Sequence, residues 1–138
     1  MKFAEKLSNA RKKAGLTQEE LAKLIGLSRK AVNNYEIGKT YPRTRDAYKK
    51  LADALKLDVN YLLTEDEEFI ANASELYGSR GAKQAQILIE SAQGLFAGGD
   101  LSDNDKDAVM RALQEAYWMA KEDNIEKYTP KKYKAAAK

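Results

Sequence analysis

Arg29, Lys30, Asn33 and Asn34 follow Ser28 at spacings that place them on the outward positions of one short helix. Arg and Lys donate to the O6 and N7 acceptors of guanine, and a carboxamide matches the donor and acceptor on adenine's major-groove edge. The chemistry open to this face is therefore recognition of base-pair edges. The competing reading is a solvated polar face on one of a pair of amphipathic helices in an ordinary bundle, so the surroundings of these residues have to decide.

Such side chains discriminate bases only if the helix that carries them is held at a fixed angle, and residues 17 to 37 supply the means. Leu21, Ile25, Leu27, Val32 and Tyr35 are spaced to face a shared core, and Ala22 is small where two helices must approach. Gly26 can adopt the positive φ that ends the first helix, and Ser28 can cap the second. This is the pattern of a helix-turn-helix. Agreement at every constrained position at once disfavours the bundle alternative.

Around this motif run Arg11, Gly15-Leu16-Thr17-Gln18, Glu20-Leu21-Ala22, Gly26-Leu27-Ser28, Tyr35-Glu36, Gly38-Lys39, Pro42, Leu51-Ala52, Leu55 and Leu62-Leu63. Over residues 3 to 63 the chain thereby resembles the Xre/Cro-type transcriptional regulators, which include the lambdoid phage repressors. The resemblance implies a five-helix DNA-binding domain whose base-reading positions fall on Ser28, Arg29, Lys30, Asn33 and Asn34. It also implies that Gln18, at the start of the second helix, binds a backbone phosphate or props a side chain of the recognition helix. A buried ion pair of the family maps onto Arg11 and Glu36. Relatives often carry Arg or Ser where this chain has Asn33, so no base preference carries over.

The rest of the first half fits. A first helix from Phe3 to Ala14 would bury Phe3, Leu7 and Ala10, and Gly15 would end it. After a loop at Gly38 to Pro42, a fourth helix from Thr44 to Leu55 would bury Ala47, Tyr48, Leu51 and Leu55, and a short fifth would carry Val59, Leu62 and Leu63. Thr17, Gln18, Lys39, Tyr41, Arg43 and Arg45 are the candidates for contacts to the phosphate backbone beside the groove.

Charge is segregated along the chain. Residues 1 to 64 hold 14 Lys and Arg against 7 Asp and Glu, a net of +7, while residues 65 to 138 hold 10 against 14, a net of −4. The first half has the sign that displaces counterions from phosphate, and the second has the sign that avoids it. The 138 residues include no Cys and no His, which excludes disulfides, thiolate metal sites, histidine general bases and imidazole ligands. No catalytic residues, cofactor or metal site are expected, and a hydrolase using carboxylates alone has no convergent polar cluster to work with. The charged N-terminus and the lack of an uncharged stretch of about 18 residues point to a cytoplasmic protein without a membrane segment.

The acidic run Glu65-Asp66-Glu67-Glu68 marks a boundary, giving a DNA-binding domain over 1–64 and a helical dimerisation or interaction region over 65–138. Consecutive helical carboxylates point in different directions and do not converge on an ion; they suit the first turn of a sixth helix. The whole is all-α, with three further helices over 66–77, 79–96 and 102–124, punctuated by Gly78, Gly81 and Gly98-Gly99. Their predicted stripes include Phe69, Ile70, Ala73 and Leu76, then Leu88, Ile89, Ala92 and Leu95, then Val109, Ala112, Leu113, Ala116, Tyr117 and Ala120. Trp118 and Ile87 fall off those stripes and are therefore candidate dimer contacts. The alternative for Trp118 is cover by the tail through Tyr128 and Pro130. The segments Tyr77-Gly-Ser-Arg-Gly81, Leu95-Phe-Ala-Gly-Gly99 and Tyr128-Thr-Pro-Lys-Lys-Tyr133 resemble C-terminal regions of Xre-type regulators from Firmicutes, a likeness that supplies no ligand or operator. The basic, Ala-rich end at 131–138 reads first as a frayed terminus and second as an extra phosphate-contacting arm.

The resulting expectation is a repressor that binds a palindromic site in double-stranded DNA as a homodimer, with its third helix in the major groove. The alternative is an antitoxin-like or antagonist-controlled DNA-binding protein whose C-terminal helices dock another protein.

Overall fold

A computed structural model describes the backbone of residues 2–128 and the side chains of residues 2–122. The described residues are helical throughout, in the order α1 (Phe3–Lys13), α2 (Gln18–Ile25), α3 (Arg29–Glu36), α4 (Arg45–Leu55), α5 (Val59–Leu62), α6 (Glu65–Phe96) and α7 (Asp103–Tyr128). Each early helix starts where its sequence supplies a cap. Thr17 and Glu20 form a reciprocal capping box on α2, Ser28 accepts from the Ala31 N–H at 3.1 Å, and Thr44 accepts from the Ala47 N–H at 3.1 Å. Hydrogen bonds from the Thr17 backbone and hydroxyl hold the Glu20 carboxyl below its ordinary pKa. Gly26 ends α2 at φ 73°, a left-handed conformation that costs a glycine nothing.

The first compact unit extends from Met1 to Gln86. Its core comprises Phe3 and Leu7 of α1, Leu21, Ala22 and Ile25 of α2, Val32 of α3, Tyr48, Leu51, Ala52 and Leu55 of α4, and Leu62 of α5. Phe3 organises the aromatic part, with the rings of Tyr48, Tyr41 and Tyr35 at 5.4, 5.8 and 6.5 Å. Burial raises the pKa of both Tyr48 and Tyr35. The Tyr48 hydroxyl is fully buried and has no hydrogen-bond partner. Leu27 departs from its predicted place in the core: it is 40% exposed, at the rim of a shallow cleft with Tyr35, Ala47 and Leu51. It follows the left-handed residue Gly26, which turns the chain away before α3 begins.

The unit includes the first part of α6 because polar side chains tie that helix to the loop between α3 and α4, a linkage invisible in residue spacing. Glu67 turns inward, is buried, and accepts from the Thr64 N–H at 3.1 Å. The two helices predicted over 66–77 and 79–96 run together as α6, broken only at Gly78, whose φ 70° and ψ −156° interrupt the helix without ending it. Gly81 is buried there for a steric reason: a Cβ would lie 2.6 Å from both the Ala73 carbonyl oxygen and the Tyr77 Cβ. Phe69, Ile70 and Ala73 are buried as their spacing predicts, with Ala71 beside them, whereas Leu76, also predicted to be buried, is 66% exposed just before this break, where the buried face changes.

The second compact unit begins at Ile87. Ile89 and Ala92 are buried in it, whereas Leu95, near the end of α6, is exposed against expectation. No side chain of α7 up to Glu122 is fully buried. Its half-buried face is Met110, Leu113, Gln114, Tyr117, Trp118 and Lys121, rotated from the predicted stripe so that Val109, Ala112, Ala116 and Ala120 are exposed. Tyr117 and Leu113 belong to both faces, and covering Trp118 and Met110 in place of alanines removes far more apolar area from water, which accounts for the rotation. Trp118 is thus half-buried, with the Tyr117 ring edge-on at 5.1 Å and Lys121 5.7 Å from the Tyr117 ring. Tyr128's side chain, Pro130 and the basic end lie outside the described residues. No helix among the described residues is long and apolar enough to cross a membrane.

Candidate nucleic-acid interface

Ser28 fixes the first turn of α3, and Val32, fully buried, fixes its rotation against the core. The opposite side is left to Arg29 and Lys30, both exposed, and to Asn33 and Asn34, both half-buried. α2 begins with Glu19 and Glu20, as the helix dipole favours, whereas the first turn of α3 has no acidic residue and carries Arg29 and Lys30. Cations at a helix N-terminus are locally unfavourable, and an anion there relieves them.

Gln18 joins the two helices of the motif. Its Nε2 donates to Asn33 Oδ1 at 3.2 Å and to Glu36 Oε1 at 3.3 Å, and its Oε1 accepts from Arg29 Nη1 at 3.4 Å. One carboxamide therefore touches two residues of the candidate base-reading set, and Arg29 and Asn33 are held before any ligand arrives.

Beneath this lies the Arg11–Glu36 pair. Arg11 Nε and Nη2 donate to the two carboxylate oxygens at 2.6 and 3.0 Å, while Nη1 donates to the Leu16 carbonyl at 2.8 Å. The side chains are only 12% and 5% exposed. Burial alone would raise the pKa of Glu36; hydrogen bonds from Arg11 and Gln18, the Arg11 charge and the Ser8 hydroxyl hold it below the ordinary carboxylate value. The hydrogen bond to Glu36 raises that of Arg11 in turn. The pair locks α1 to the end of α3.

The candidate phosphate contacts divide into distinct groups. Thr17 is occupied as the cap of α2, with its hydroxyl 3.0 Å from the Glu20 nitrogen. Lys39 is exposed, and its backbone N–H donates to the Asn34 carbonyl at 2.9 Å. Tyr41 is half-buried and its ring stacks on Phe3, so much of it belongs to the core. Arg43 donates to the Ser79 hydroxyl, and Arg45 Nη2 lies 2.7 Å from Glu68 Oε1 and 3.2 Å from Asn72 Oδ1. Gln86 Nε2 donates to the Lys39 carbonyl at 3.1 Å and, at 3.5 Å, to that of Gly38. Glu68, Asn72, Ser79 and Gln86 are thus partners of the loop that sequence reasoning did not find. In the sequence only the acidic start of α6 stands out there, and it reads as a helix N-terminus. Ile87 is 53% exposed. No group of acidic residues among the described residues is arranged to hold a metal ion.

The Helix-turn-helix family matches residues 7–62. The HTH-type transcriptional regulator ImmR of Bacillus subtilis is 30% identical over 115 residues, covering 83% of this chain and 90% of that protein. The cryptic phage CTXphi transcriptional repressor RstR of Vibrio cholerae is 39% identical over 62 residues, 45% of this chain and 54% of the repressor. The HTH-type transcriptional activator BcrR of Enterococcus faecalis is 36% identical over 67 residues, 49% of this chain but 32% of the activator. No solved structure matches the chain.

Proposed function

Because the chain belongs to the Xre/Cro-type helix-turn-helix transcriptional regulators, DNA-binding proteins and not enzymes, we propose that it is a repressor that binds a palindromic operator as a homodimer, with α3 in the major groove. The observation that carries this reading is the Gln18 carboxamide, which holds Arg29 and Asn33 in place on an outward face of α3. Arg29, Lys30, Asn33 and Asn34 discriminate bases, Ser28 starts the helix that presents them, and Lys39, Arg43 and Arg45 position the backbone. The repressor role is taken from RstR, a matched relative whose name gives it as a transcriptional repressor.

Dimerisation is assigned to the region beyond the motif. α7 buries no side chain fully up to Glu122, and Ile87 is 53% exposed, so apolar surface is available there to a second copy. Two protomers on a two-fold axis would engage half-sites about 34 Å apart, and tethering them makes the second contact intramolecular. The exposed side of the same helix also favours the second reading, in which a protein antagonist docks on it and DNA binding is the regulated output.

Selection of bound sequences from a random duplex pool, together with light scattering on the purified chain, tests both. A palindromic consensus and a dimer mass support the proposal. A monomer mass with a single recovered half-site moves α7 to the antagonist reading, and a pool without enrichment refutes sequence-specific binding.

A further inference from the structure

Arg45 occupies the first position of α4, directly after the cap Thr44. The dipole of that helix disfavours a cation there, so the residue suits an anionic ligand better than it suits its own helix. An anion is supplied from within the chain. Glu68 Oε1 lies 2.7 Å from Arg45 Nη2, and Asn72 accepts from the same nitrogen at 3.2 Å.

Glu68 is not needed at this position to start α6. The capping task falls to Glu67, which turns inward to the Thr64 N–H, and Glu65 and Asp66 already supply negative charge to the first turn. Nor does folding require the pair, since the side chains of Arg45 and Glu68 are 51% and 41% exposed and such pairs contribute little to stability. Arg43, in the loop just before α4, is held differently. Among the described residues its hydrogen-bond partner is the neutral hydroxyl of Ser79, which supplies no counter-charge.

We infer that Glu68 is a built-in rival of DNA for Arg45, a carboxylate standing where a backbone phosphate would bind, which lowers sequence-independent affinity while leaving Arg43 in place to position the duplex. The inference rests on the proposed phosphate role of the loop. Its consequence is a smaller electrostatic term: binding to every sequence is weakened alike, and the base contacts made by α3 supply a larger share of the affinity that remains.

The test is the salt dependence of full-length protein binding to a random-sequence duplex, measured between about 50 and about 200 mM salt. Glu68→Gln should steepen the slope of log affinity against log salt by up to about 0.9 and tighten binding by up to about eightfold near 0.1 M salt. Adding Arg45→Ala to Glu68→Gln should return slope and affinity to those of the parent. Glu75→Gln, the same change of charge elsewhere on α6, should change neither. A Glu68→Gln protein indistinguishable from the parent, or one whose gain survives the loss of Arg45, overturns the inference while leaving the DNA-binding reading standing. Absence of any salt-dependent binding by the parent chain overturns that reading itself, and the inference with it.

Discussion

Replacing Glu36 by alanine removes the carboxylate that receives two hydrogen bonds from Arg11 and one from Gln18. The Arg11 guanidinium, 12% exposed, is left with the Leu16 carbonyl among its hydrogen bonds but without a counter-charge. Breaking one partner of so buried a pair costs about 3 to 5 kcal/mol, whereas an exposed pair would cost about 0 to 1. For a unit the size of residues 1–86, the larger loss corresponds to a fall in melting temperature of at least about 12 °C. Thermal unfolding followed by circular dichroism measures it. The double substitution Arg11→Met with Glu36→Leu should recover most of the loss, because the penalty comes from the unpaired cation and not from absence of the pair. The folded-state carboxyl of Glu36 ionises below the ordinary 4.5, so its contribution is complete above that value and is lost as pH falls through the lower folded-state value. The gap between parent and Glu36→Ala should hold at neutral pH and narrow in acid below 4.5. A melting temperature within about 2 °C of the parent at neutral pH, less than 1 kcal/mol in a unit of this size, would refute the reasoning.

Asn33→Ala should cost about 1 to 3 kcal/mol on the preferred operator and little on random DNA; equal losses in a paired titration would remove Asn33 from the base-reading set. Tyr48→Phe deletes a buried hydroxyl without a hydrogen-bond partner and should raise stability, up to the 1 to 3 kcal/mol that such an orphan costs, as read from a denaturation midpoint. Gly78→Ala forces a side chain into φ 70°, ψ −156° and should destabilise by about 1 to 3 kcal/mol, with an unchanged midpoint counting against the kink. Trp118→Ala should shift sedimentation equilibrium toward monomer while leaving the melting of the motif helices unchanged, and an unaltered dimer would place the proposed interface elsewhere.

The motif was legible because each of its residues answers a local demand. Gly26 supplies a left-handed turn, Ser28 supplies a cap, and Leu21 and Val32 supply the core face, all within the reach of neighbours in sequence. The Arg11–Glu36 pair was legible only through resemblance, since nothing in residue spacing joins helices 25 positions apart. α7 was misjudged in rotation for a different reason. A periodic stripe that mixes alanines with larger residues leaves the choice of face to whichever side buries the most area, and Trp118 and Met110 outweigh Ala112 and Ala116. The partners of Arg43 and Arg45 on α6 were hidden because exposed polar contacts between distant segments leave no periodic signature.

The Gln18 carboxamide bears on how this surface could be altered. Because a single amide bonds to Asn33, Glu36 and Arg29, those positions form one mechanical assembly and not separate letters of a recognition alphabet. Substituting Asn33 frees an amide hydrogen that will seek Glu36 more strongly or turn outward, and either choice reorients Arg29. Transplanting the exposed residues of another α3 onto this scaffold therefore transfers a foreign specificity only if residue 18 travels with them. Changes at 18, 29 and 33 should combine non-additively, so the adaptive route from one specificity to another passes through α2 as well as through α3.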